Sequence, residues 1–114
     1  MDDLIDQIAG KTGLDSAVTR RAVGIIINFL GREAPPEHMQ GLIDKMPGAR
    51  ALADEYGTAS GGLMGVFNDL TAAGLSMGEM QSVTREFIVA AKARIGEREV
   101  DQVIRSIPGL GQFV

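Results

Sequence analysis

Two heptapeptides, "LIDKMPG" ending at Gly48 and "VIRSIPG" ending at Gly109, close two stretches of one short chain with the same apolar spacing and the same Pro-Gly. Laying Pro47 on Pro108 sets an offset of 61 residues (108 − 47), just over half of the 114-residue chain. A pattern that recurs at that distance constrains the fold more than any composition does, because two similar units must then share one small molecule. Over the forty positions 13–52 the offset yields six identities, Gly13, Leu14, Ile27, Ile43, Pro47 and Gly48. The apolar register carries the argument better. Met39, Leu42, Ile43 and Met46 fall on Val100, Val103, Ile104 and Ile107, an i, i+3, i+4, i+7 stripe in both places. Ala22, Ile26, Ile27 and Leu30 fall on Val83, Phe87, Ile88 and Ala91, and a one-residue gap at Thr12 brings Leu4, Ile5 and Ile8 onto Val66, Phe67 and Leu70.

This periodicity predicts an all-α fold. It is a compact helical bundle made of two tandem three-helix pseudo-repeats, residues 1–56 and 63–114, joined by a Gly-rich connector at 57–62 and related by an approximate two-fold. The whole chain, 1–114, is expected to form one domain. The run "AVGIIINFL" is β-branched enough to be a strand, but its counterpart "VTREFIVAAKA" follows Ser76-Met77-Gly78-Glu79. Those four residues form a capping box: Ser76 accepts from the amide of Glu79, and Glu79 reaches back. Leu75 and Met80 are placed to staple the turn. Asp15 is the corresponding N-cap of the first copy. Central helices are therefore expected over 16–31 and 77–95, with broad apolar faces that cover each other at the centre of the interface between copies. Gly10 and Gly13 should close a first helix of roughly 3–10. Pro35 and Pro36 should start the third helix, with Gly96 making that break in the second copy, and Pro47 and Pro108 should stop both third helices. "ARALADEY" reads as a short helix with Ala49, Leu52, Ala53 and Tyr56 on one side. The tail "GLGQFV" reads as extended and docked by Phe113.

The chemistry-bearing residues are sparse. There is no cysteine, which excludes disulfides, thiolate catalysis and cysteine-based metal sites. "GKT" at 10–12 ends like a phosphate-binding loop, but Ile5 stands where that loop needs glycine and a helix stands where it needs a strand. A helix C-cap is the better reading. "GTASGGLMG" lacks the dinucleotide fingerprint and reads as a linker. His38, the lone histidine, lies off the stripe in the first turn of its helix and should face water rather than serve acid–base chemistry. Met64 and Met77 are the methionines least committed to a core stripe. Residues 1–61 carry six Lys/Arg against nine Asp/Glu, and residues 62–114 carry five against six. Arg20, Arg21 and Arg32, and Lys92, Arg94, Arg98 and Arg105, therefore read as solvated faces rather than as a nucleic-acid surface. The longest apolar run is far too short to span a membrane.

The paired pattern resembles a bacterial family of unknown function whose helical half-repeats carry an R-A-V start to the long central helix and a short helix ending in Leu-Pro. Arg21-Ala22-Val23 stands for the first motif, and "LIDKMPG" with "GEREVDQVIRSIPG" stands for the second. The chain departs from the pattern with Ser82-Val83-Thr84 in the second copy, and with Met-Pro and Ile-Pro in place of Leu-Pro. The resemblance implies a compact helical fold and a bacterial source, and brings no catalytic, cofactor-binding or metal-binding residue. The expected function is a non-enzymatic, cytoplasmic interaction module acting through a protein partner or self-association, with no cofactor and no nucleic acid. The second reading is a binder of small apolar ligands with its pocket between the repeats.

Overall fold

The structure, a computed structural model, describes residues 1–56 and 62–113. All the regular structure in them is helical: α1 Asp2–Thr12, α2 Ser16–Glu33, α3 Pro36–Lys45, α4 Ala49–Glu55, α5 Gly62–Ala72, α6 Met77–Ile95, α7 Glu97–Arg105 and α8 Leu110–Phe113. The connector expected at 57–62 lies outside the described residues except for Gly62, which opens α5.

Local chemistry sets the helix ends. The Asp15 carboxylate accepts from the amide of Ala17 at 2.7 Å, starting α2. At α6 both halves of the capping box form, the Ser76 amide donating to Glu79 Oε1 at 2.8 Å and the Glu79 amide to Ser76 Oγ at 3.2 Å. Leu75 and Met80, flanking that box, are both buried. Gly13 closes α1 in the left-handed region (φ 76°), whereas Gly10 stays inside the helix, so α1 runs longer than the glycines predict. Thr12 lies in that helix, its hydroxyl donating to the carbonyl of Ile8 at 2.8 Å, which leaves no loop for a phosphate. The shared Pro-Gly has the same outcome twice: Gly48 (φ 89°) and Gly109 (φ 87°) turn the chain into α4 and α8. The tail is accordingly a helical turn rather than an extended strand. Leu110 is buried, and docking by Phe113 lies outside what is described of its side chain.

The buried apolar residues form one cluster drawn from α1 to α8. Three of four residues in each third-helix stripe are buried, namely Met39, Leu42 and Met46 in the α3 segment and Val100, Val103 and Ile107 in the α7 segment. Ile43 and Ile104, which share one register position at the 61-residue offset, are both half-buried. The halves interlock more deeply than two facing central helices would. α1 packs mainly on α6 and α5 on α2, and the direct contact of α2 with α6 is less extensive than either. Apolar faces cause this. α2 buries Ala22, Val23, Ile25, Ile26, Ile27, Phe29 and Leu30, which together surround most of the helix and need several neighbours to cover them. The radius of gyration, 12.6 Å, is that of one packed body of this length.

The most extensive helix pair is α2 with α4, and Gly24 permits it. A Cβ at Gly24 would lie 2.6 Å from Tyr56 Cδ2 and 3.1 Å from the Leu52 carbonyl oxygen. Alanine usually gains about 1 kcal/mol over glycine inside a helix. Here the overpacking of a backbone-lined contact costs about 1–3 kcal/mol. Gly24→Ala should therefore leave stability unchanged at best and lower it in the usual case; clear stabilisation in urea unfolding would show that α4 does not sit this close to α2.

Candidate functional site

The side chains singled out from the sequence do not converge. Among the described residues no group of three His, Cys, Asp or Glu side chains could hold a metal ion. His38 is half-buried rather than fully exposed, because the short α3 is flanked by α2, α6 and α7 and its margins are partly covered. Arg20 and Lys92, one cation from each basic group, are engaged in salt bridges. Arg20 reaches Asp2 at 3.3 Å and Glu55 at 3.0 Å, tying α1, α2 and α4 together. The hydrogen bond that Arg20 donates to the Glu55 carboxylate, then the charge of Glu55, hold the Arg20 guanidinium above its ordinary pKa. Lys92 pairs with Asp101 at 3.4 Å. Lys11 with Glu86 at 3.8 Å and Lys45 with Glu99 at 3.0 Å join the two halves. With both halves net acidic, duplex DNA should bind very weakly or not at all at physiological salt. Sub-micromolar binding in a titration, falling steeply with added salt, would contradict that.

Between the halves, Ile26 and Phe29 of α2, Val66 of α5, Phe87 of α6, Val103 of α7 and Leu110 help to line an apolar void of about 40 Å³. Ligand pockets run from about 300 to 1,000 Å³. The place where a pocket for an apolar ligand was expected is thus nearly filled by side chains.

A recess of ligand size lies elsewhere, on the first half alone. α2, α3 and α4 bound a cleft of about 580 Å³. It is larger than the recess of about 330 Å³ beside Arg20 or the one of about 210 Å³ beside Met46. Its apolar floor is Ile27, Met39, Ile43 and Ala53. Its rim carries Arg32, Gln40, Asp44, Arg50 and Asp54, all exposed. The cleft exists because the two walls lean apart. α4 is held against α2 through Gly24 and through Asn28, whose amide donates to the carbonyl of Ala53 at 3.1 Å and satisfies one of the end carbonyls of α4. After the Pro35-Pro36 break, α3 packs mainly on α7 and touches α2 little. Among the described residues, the lining contains no hydroxyl, thiol or imidazole. It offers apolar contact, side-chain amides and charges of both signs.

Sequence reasoning missed this cleft. Its signal was present in the 61-residue register, where Gly31 and Gln40 stand opposite Lys92 and Asp101, and in Asn28, a polar residue inside an apolar run. Comparison with protein-family models, with curated proteins and with solved structures finds no match. Among the described residues no helix is long and apolar enough to cross a membrane.

Proposed function

We propose that the chain is a non-enzymatic interaction module, built from two copies of one helical unit related by an approximate two-fold and working in the cytoplasm through a protein partner. The duplication is supported by register. At the 61-residue offset the starts of α2, α3 and α4 at Ser16, Pro36 and Ala49 fall on those of α6, α7 and α8 at Met77, Glu97 and Leu110.

One observation supports the interaction role most: the cleft of about 580 Å³ pairs an apolar floor with a rim of amides and mixed charges, and among the described residues its lining has no hydroxyl, thiol or imidazole. The carboxylates of Asp44 and Asp54 stand exposed on that rim, whereas a catalytic acid or base is held in orientation within its pocket. A recognition surface needs apolar contact ringed by polar groups. A photo-crosslinking residue at the exposed Gln40, used in cells of the source organism, tests the role. The expected product is a discrete protein adduct that does not form with the same probe at Val89, an exposed residue outside the cleft lining. Adducts to small metabolites alone would argue for a ligand binder or an enzyme and against the module.

A further inference from the structure

We propose that the α2–α3–α4 cleft receives a short polypeptide segment of the partner, with apolar side chains flanked by an acidic and a basic residue, and that Gly31 keeps the cleft open. This rests on the interaction-module reading and names what the module takes.

The second half shows what a closed version looks like. There the Lys92 ammonium lies 3.4 Å from the Asp101 carboxylate and straps α7 onto α6, and those two helices touch far more than α2 and α3 do. At the same register the first half has Gly31 and Gln40, both in the cleft wall. A Cβ at Gly31 would meet nothing within 4 Å, so this position opens onto space. The first half is therefore unstrapped at the point where the second half is tied.

The lining narrows the occupant. Asp44 and Asp54 oppose a polyanion such as nucleic acid, and Arg32 and Arg50 oppose a polycation. A purely apolar ligand would strip water from the Gln40 amide and the charges of Asp44, Arg50 and Asp54 without replacing their hydrogen bonds. A polypeptide segment supplies each complement: apolar side chains for Met39 and Ile43, a peptide group for the donor and acceptor of Gln40, and both charge signs for the rim. The volume suits a few residues rather than a whole domain.

The test uses the full chain. A phage-displayed random dodecapeptide library is panned on it, and the selected synthetic peptides are titrated calorimetrically. The variants are Gly31→Lys/Gln40→Asp, which transplants the strap, and Arg50→Glu, which reverses one exposed rim charge. The expected peptides carry both charge signs around apolar residues and bind about tenfold or more weakly to the strapped variant, a change of about 1.4 kcal/mol. Arg50→Glu should weaken the same peptides and be rescued when the peptide's acidic residue is made basic, which keeps the test decisive if the strapped variant misfolds. Failure to select any binding peptide would overturn the polypeptide occupant. Peptides that bind the native chain and both variants equally would overturn the cleft as their site while leaving an interaction module standing. Loss of the module reading itself would appear instead as small-molecule adducts at Gln40.

Discussion

Replacing Phe87 with alanine should lower the unfolding free energy by about 3–5 kcal/mol, the largest loss expected from any single substitution here. Phe87 is 2% exposed and lies midway along α6. Its ring borders the void of about 40 Å³, whose other walls come from both halves. Removing the ring enlarges an existing apolar space that surrounding side chains have already failed to fill, so little collapse can offset the lost contacts. Leu42, 2% exposed and in the same lining, should cost about 2–5 kcal/mol as Leu42→Ala. Because both residues border one void, the double substitution should depart from additivity, the second truncation meeting a space the first has opened. Urea unfolding monitored by far-ultraviolet circular dichroism measures both. A loss below about 1 kcal/mol for Phe87→Ala, against the usual range for such truncations, would place the ring outside the shared core.

The parts of this fold that were legible in the sequence are those fixed within a turn or two of the chain. The Ser76–Glu79 capping box, the Asp15 cap, Pro36 at the start of α3 and the closing Gly13 of α1 all act on their own neighbours, so residue types at fixed spacing suffice to read them. The third-helix stripes were legible for the same reason, except at their margin. Ile43 and Ile104 sit at one edge of the apolar arc, and periodicity sets the direction of an arc without setting how far neighbours reach around it. Met64 and Met77, outside the stripes, are indeed exposed.

What stayed hidden depends on residues far apart in sequence. The fit of Gly24 against Tyr56 and Leu52, and the crossing of α1 onto α6 and of α5 onto α2, are decided only once two helices meet. The cleft is harder still to foresee, because it is a difference between halves. A shared register is found by what the two halves have in common, whereas the candidate site lies where Gly31 and Gln40 differ from Lys92 and Asp101 at the 61-residue offset. The helical turn Leu110–Phe113 was missed because its glycines, Gly109 and Gly111, resemble a loop; Gly109 instead supplies the turn that starts it.

Separating the halves tests the central claim, one core built jointly by two interlocked units, most directly. Fragments 1–57 and 62–114 would each lose a helix that packs on their central helix from the other side: α5 from α2, and α1 from α6. Each would also expose apolar surface that the single buried cluster now covers. Chains of this length bury barely enough surface to offset the entropy of folding, and no disulfide is present to assist. Circular dichroism and sedimentation of the two fragments, apart and mixed in equal amounts, give the decisive reading. Each alone should be largely unfolded or self-associated, and the mixture should regain helicity as a one-to-one complex. Two monomeric fragments that each unfold cooperatively, with no change on mixing, would show that the halves are independent domains and that the shared core is wrong.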